Sequence, residues 1–203
     1  MFAATSGINT HKGLIFLLSL LLYGAGYCIY SRNELTPEKI ASYASAPVDG
    51  LTSRELGSLS EKNASGNLTN GERLFLMHGI TGARGEAEKG FPSILQHGIP
   101  ELRRTSSMGA SINSSHIAAL LSIMYNCEDS NVIHRGGYDF WKNDYKDMVK
   151  ETIEKFDPLS EDYSPVEDLE QKFLRSRISP GGAADLLCCS IYLDLITKPT
   201  CQQ

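Results

Sequence analysis

The sequence predicts an all-α fold, arranged as a single compact multi-helix domain over residues 1–203 around a central apolar helix. Three observations carry this prediction. No alternation of apolar and polar residues runs longer than a few positions, so the two-residue period of a half-buried strand is missing. Several segments instead place apolar residues three to four positions apart behind recognisable helix starts. Residues 13–30 contain no charged side chain, as in a helix that is apolar all round and sits at the centre of a core.

The first helix follows "NTHKG", where Asn9 or Thr10 can accept from the free amides of its first turn. Thr36-Pro37-Glu38 opens a second helix, "PEKIASYASA", with proline at its first position and an acid in its first turn. Residues 46–70 are rich in Gly, Ser and Asn and predict a long mobile loop with a short helix inside, the kind of segment that often serves as a lid. "NGERLFLMHGI" predicts a helix closed by Gly79, and "GARGEAEKGFPSILQHGIPELRR" a helix, a break and a second helix, punctuated by Pro92 and Pro100. "NSSHIAALLSIMYN" reads as an amphipathic or buried helix, and "DFWKNDYKDMVKETIEKF" as a helix with a charged outer face. "SPVEDLEQKFLRS" and "SPGGAADLLCCSIYLDLI" both start with a serine cap followed by proline.

Composition narrows the function classes. Apolar residues make up 41% of the 203 residues and charged residues 21%, a globular balance with enough chain for a core. The net charge of -5, with no long basic run, argues against a nucleic-acid binder. The cysteines (Cys28, Cys127, Cys188, Cys189, Cys201) form no C-x-x-C pair, which excludes a disulfide framework and a zinc site. Hydropathy alone leaves the first helix open. Its uncharged run is just long enough to span a bilayer, Lys12 precedes it, and N-x-S/T sequons follow at Asn63, Asn67 and Asn113. Ser19, Gly24, Gly26 and the tyrosines at 23, 27 and 30 fit a core helix equally well.

Four segments are too polar and glycine-rich to be plain connectors. In "SGINTHKG", Asn9, Thr10, His11 and Lys12 stand at a helix N-terminus, where free amides and the dipole favour an anion, although an ordinary cap with an exposed lysine would read the same. In "GARGEAEKGFP", Arg84 and Glu86 lie among glycines and could hold a phosphate and a metal or hydroxyl, or form a surface ion pair. "EDSNVIHRGG" supplies Asp129, Asn131, His134 and Arg135 ahead of Gly136 and Gly137. Asp129 could ligate Mg²⁺ or accept a proton, Arg135 could bind phosphate, and His134 could be structural. In "ISPGGAADLL", Ser179 caps, Pro180 takes the first helical position, Gly181 and Gly182 leave the amides bare, and Asp185 follows close behind, where it would also suit the dipole. No G-x-x-x-x-G-K-[ST], G-x-S-x-G or H-E-x-x-H occurs.

Together, and in this order, "GINTHKG", "GERLFLMHGITGARGEAEKGFPS", "DSNVIHRGG" and "SPGGAADLL" resemble the triphosphoribosyl-dephospho-CoA synthase family, over about Ala4 to Leu195. The resemblance implies a soluble, all-helical, cytoplasmic enzyme in which the apolar run is a core helix, with no membrane and no nucleic acid involved. It implies ATP as a substrate with Mg²⁺, and dephospho-CoA as the acceptor. The 2′-hydroxyl of the acceptor attacks C1 of the ATP ribose and adenine leaves. The product is the prosthetic-group precursor of citrate lyase or malonate decarboxylase, passed by a separate transferase to an acyl carrier protein. Asp129 or Glu86 is then the expected base or metal ligand, and His11 or His134 the donor to the leaving base. Lys12, Arg84 and Arg135 are the expected phosphate contacts, with Asn9, Thr10, Asn131, Ser179 and Asp185 beside them and Gly136, Gly137, Gly181 and Gly182 allowing close approach. Ala183 stands where the family often has serine. Family members carry a further N-terminal region before "NTHKG", so the chain is expected to be the C-terminal portion of a family domain, with an inactive or complementing fragment as the alternative.

Overall fold

The computed structural model describes residues 11–56 and 68–198; Asn9, Thr10 and residues 57–67 of the predicted loop lie outside the described residues. The described residues contain helices and no strand. In chain order the α-helices are α1 (Lys12–Tyr30), α2 (Pro37–Ser45), α3 (Leu51–Leu56), α4 (Asn70–His78), α5 (Gly82–Glu88), α6 (Ile99–Ser107), α7 (Ile112–Asn126), α8 (Ser130–Gly136), α9 (Tyr138–Phe140), α10 (Lys146–Lys155), α11 (Ser164–Ser176) and α12 (Gly181–Thr197). Two five-residue π turns interrupt the pattern, Ile94–Gly98 ahead of α6 and Trp141–Tyr145 ahead of α10.

The helix ends follow local chemistry. The Thr36 hydroxyl accepts from the Lys39 amide and Pro37 starts α2, as its sequence predicts. A reciprocal capping box between Thr69 and Glu72 starts α4, and Gly79 closes it at φ 70°. At α12 the predicted cap is not used: Pro180 is the cap residue, Ser179 is exposed, and the first turn takes its acceptor from elsewhere in the chain.

The apolar helices share the centre. α1 buries Leu17, Leu21, Gly24, Ala25 and Cys28 along one face, which packs on α2 and α12. Its other face exposes Ile15, Leu22, Tyr23, Tyr27, Ile29 and Tyr30. By length and composition α1 could cross a membrane. The core position belongs to α12, which packs on α1, α2, α6, α7, α8 and the Ile94–Gly98 turn, and buries Ala183, Leu186, Cys189 and Leu193. The starts of α1 and α12 lie side by side, with Gly13 against the Asp185 carboxyl.

Lys146 closes the end of α7. Its Nζ donates to the carbonyls of Met124, Tyr125 and Cys127, at the end of α7, and lies 5.0 Å from the centroid of the Trp141 ring. A cation there complements the helix dipole and the free carbonyls. Lys146→Met keeps the stem and removes the charge, so we expect it to lower stability by about 1.5 kcal/mol, or a Tm lower by about 3–6 °C. Thermal unfolding followed by circular dichroism measures this, and an unchanged Tm would show that the three carbonyl contacts contribute nothing.

Candidate active site

The four polar segments meet on one cavity of about 1220 Å³. Its wall combines the start of α1 (Lys12, Gly13), the length of α5 (Arg84, Glu86), the end of α7, one side of α8 (Asn131, His134, Arg135) and the start of α12 (Gly182, Asp185). Phe16, Leu51, Ile80, Pro92 and Leu186 supply an apolar part of the lining. Much of the rest of the wall is polar, with cations and carboxylates on it, which suits a charged ligand.

Gly13 and Asp185 join the first segment to the last. A Cβ on Gly13 would lie 2.4 Å from Asp185 Oδ2, so any side chain there would displace the Asp185 carboxyl. Asp185 also accepts from the Leu14 amide. Burial raises its carboxyl to about 6; the charge of Asp129 adds to the rise, and His11 and the Leu14 amide oppose it. Glu86 is held from the next turn of chain: its Oε1 accepts from the Ser93 amide at 2.8 Å and its Oε2 from the Ser93 hydroxyl at 2.9 Å. Burial pushes the Glu86 carboxyl above its ordinary range, while the Ser93 and Ile94 donors and Lys89 hold it down.

The cations have partners of their own. Arg84 Nε donates to Glu55 Oε2 at 2.5 Å, both side chains being about half exposed, so α3 lies across that edge of the cavity. His134 Nε2 lies 2.8 Å from Asn70 Nδ2, joining α8 to the start of α4. Lys89 and His97 also line the cavity, His97 on the π turn with its ring held below the ordinary value by burial and then by Lys146.

Asp129 takes a different place. It is 1% exposed and outside the cavity wall. Its Oδ1 accepts from the amides of Asn131 and Val132 at 2.9 and 3.3 Å, capping α8, and its Oδ2 accepts from the Ala183 amide at 2.9 Å, capping α12. One carboxylate thus fixes two helix N-termini side by side. The glycines serve the same joint: a Cβ on Gly182 would lie 3.0 Å from the Asp129 carboxyl, and one on Gly181 2.8 Å from the Asn131 amide nitrogen. Gly136 packs against the Phe140 ring, and Gly137 adopts φ 90° at the break before α9. His11, Ser179, Gly136, Gly137 and Gly181 do not form part of the cavity wall.

Four carboxylates line this cavity, Glu55, Glu86, Glu128 and Asp185, of which Glu55 is paired with Arg84 and Glu86 with the Ser93 donors. Among the described residues no three His, Cys, Asp or Glu side chains converge as a cage. One or two carboxylates suit Mg²⁺, which binds with retained waters and substrate phosphates. The oxygens of Asp129 face backbone amides instead. Sequence reasoning missed Glu55, Asn70, Ser93 and His97. Ser93 lies within the quoted "GFPS", and the Thr69–Glu72 capping pair could have placed Asn70; nothing local marks Glu55 or the π turn that carries His97.

Comparison with known proteins gives a consistent result. The family model for ATP:dephospho-CoA triphosphoribosyl transferase matches residues 1–203. A protein of Malonomonas rubra named "Probable 2-(5''-triphosphoribosyl)-3'-dephosphocoenzyme-A synthase" is 34% identical over 200 residues, which are 98% of this chain and 62% of that protein. A protein of the same name from Streptococcus mutans is 36% identical over 208 residues (98% and 69%). The 2-(5''-triphosphoribosyl)-3'-dephosphocoenzyme-A synthase of Pectobacterium atrosepticum is 35% identical over 195 residues (95% and 61%). The chain therefore spans between 61% and 69% of the length of these relatives. The crystal structure of a candidate triphosphoribosyl-dephospho-CoA synthase from Archaeoglobus fulgidus superposes with a TM-score of 0.60 over 97% of this chain and 87% of that one, at 18% identity, a likeness of fold.

Proposed function

The chain belongs to the ATP:dephospho-CoA triphosphoribosyl transferase family, and on that basis we propose that it moves the triphosphoribosyl group of ATP to the 2′-hydroxyl of dephospho-CoA and releases adenine. The observation that carries this reading is the meeting of all four family-like segments on one cavity, with cations and carboxylates on the same wall.

Glycosyl transfer through an oxocarbenium-like transition state has three needs. The attacking hydroxyl must lose a proton, the leaving adenine must gain one, and the triphosphate must be held. Glu86 is the base: it lines the cavity and two Ser93 hydrogen bonds fix its direction. Asp129 is a positioning group in this scheme, because it is buried outside the cavity wall and caps two helices. His134 and Asp185, both on the wall, are the proton donors nearest in kind to the need. Lys12, Arg84 and Arg135 bind the triphosphate, and Arg84 exchanges Glu55 for phosphate when ATP arrives. Mg²⁺ bound to the triphosphate with its retained waters, beside Glu128, the wall carboxylate with no other role in this scheme, would neutralise triphosphate charge when bound. In the cell this reading implies a cytoplasmic enzyme whose product goes by a separate transferase to the acyl carrier protein of citrate lyase or malonate decarboxylase.

The test is adenine release. Purified chain with ATP, Mg²⁺ and dephospho-CoA is expected to yield free adenine by chromatography only when dephospho-CoA is present. Glu86→Gln is expected to slow that release by about a hundredfold or more. No adenine from a folded chain would favour the alternative, a complementing fragment of the same enzyme. Adenine at the wild-type rate from Glu86→Gln would remove the base assignment.

A further inference from the structure

Packing within one chain accounts for only half of α1. Its inward face lies on α2 and α12, and there Gly24 is required, because a Cβ would collide with the Ile40 carbonyl oxygen. At about 100° per residue, the opposite face carries Ser19 and Gly26 along its midline. Ile15, Leu22 and Ile29, spaced by seven, form one flank, and Tyr23, Tyr27 and Tyr30 form the other. These six side chains are between 41% and 84% exposed. Together they expose on the order of 800 Å², more than a monomer usually leaves in one patch and about what one partner gives to a stable dimer. No charged residue interrupts the face over residues 13–30.

Gly26 shows what the face is shaped for. A Cβ there would meet nothing within 4 Å, and its φ is not left-handed. Glycine weakens a helix interior relative to alanine, so neither space nor backbone within one chain calls for it. A small residue on a helix midline lets a second helix approach closely. The face also complements itself. Two copies of α1, antiparallel about a two-fold axis level with the midpoint of Leu22 and Tyr23, set Ser19 of each copy on Gly26 of the other. The same axis lays the aliphatic flank on the aliphatic flank, Ile15 beside Ile29, and the tyrosine flank on the tyrosine flank. Antiparallel pairing opposes the two helix dipoles, and tyrosines bury their rings while leaving their hydroxyls to water.

We propose that the outward face of α1 is the interface of a two-fold dimer of this chain, its helices brought close over Ser19 and Gly26. The dimer braces from outside the helix that carries Lys12 and Gly13 into the cavity wall.

Sedimentation velocity on the full chain without detergent tests this. Wild type is expected to be a dimer at about 50 µM. Gly26→Leu is expected to weaken dimerisation by about a hundredfold or more, with helix content by circular dichroism unchanged, because the leucine meets open space in a single copy. Leu174→Glu, at an exposed apolar residue of α11, is expected to leave the dimer intact. Ile15→Glu and Ile29→Lys are each expected to dimerise about tenfold more weakly, and their equal mixture to recover, since only the antiparallel register brings those two positions together. A monomeric wild type overturns the proposal, whether the face then takes up phosphatidylcholine vesicles or binds a further stretch of chain such as the longer relatives carry. A dimer that survives Gly26→Leu, or one that Leu174→Glu disrupts as strongly, overturns it too. A mixture that fails to recover overturns the pairing about this axis.

Discussion

Asp129→Ala is expected to destabilise the fold by about 3 kcal/mol, lowering Tm by about 6–12 °C for a chain of this size. The carboxylate is 1% exposed, and its oxygens accept from Asn131, Val132 and Ala183. Alanine leaves those buried amides without an acceptor and opens space between the starts of α8 and α12. An N-cap alone is worth about 1 kcal/mol, and this residue caps two helices and is buried. Asp129→Asn keeps one acceptor oxygen but turns an NH₂ towards an amide, so an intermediate loss is expected. The measurement is thermal unfolding by circular dichroism. If Asp129 instead acted on substrate from the cavity, Asp129→Ala would lose turnover and keep its Tm. That outcome would show that the capping geometry does not carry the role assigned to it here.

The same residue shows what the sequence could and could not reveal. "EDSNVIHRGG" marks Asp129 as chemically placed, and its capping of α8 is a local pattern. Its second bond reaches Ala183, 54 positions away, and no periodicity or cap rule announces a bond of that range. Gly181 and Gly182 likewise look like a bare amide cradle for a ligand, yet they are small because Asn131 and Asp129 need the room. Ser179 has the right type and spacing for a cap, and the distant Asp129 takes that work instead. Helix positions were legible wherever caps and glycines are local, as at Thr36 and Gly79. The two π turns were not, since no cap, proline or glycine rule marks where a turn takes an extra residue. The apolar run of α1 reads as a helix apolar all round, yet only one face, with Leu17, Leu21 and Cys28, is buried, while Tyr23, Tyr27 and Tyr30 face out; tertiary packing, not hydropathy, decides which. The meeting of Lys12, Arg84, Glu86, His134, Arg135 and Asp185 on one cavity is made by the packing of α1, α5, α8 and α12, which no single segment announces.

Asp185→Asn is expected to stabilise the protein at neutral pH and to slow adenine release by about a hundredfold. Burial, then the charge of Asp129, raises the Asp185 carboxyl from an ordinary 3.8 to about 6. The native state therefore holds this proton more tightly than the unfolded chain does. By linkage, stability falls as pH rises through the window between about 4 and about 6, and the whole penalty is present above it. Asparagine never ionises, and its oxygen can still accept from the Leu14 amide, so the variant escapes the penalty. Its Tm should match wild type below pH 4, separate from it between pH 4 and 6, and stay higher at pH 7.5. An equal or lower Tm at pH 7.5 would mean that the carboxylate is not strained in the fold. The activity half has its own reason. A cavity carboxyl that titrates near 6 gives up and regains a proton readily at neutral pH, as the departure of adenine requires. Nothing in α12 needs a charge at this position for folding, since Asp129 already caps its first turn. A side chain that costs stability in its ionised form, beside the glycine at Gly13 that makes room for it, is better explained by the reaction than by the fold.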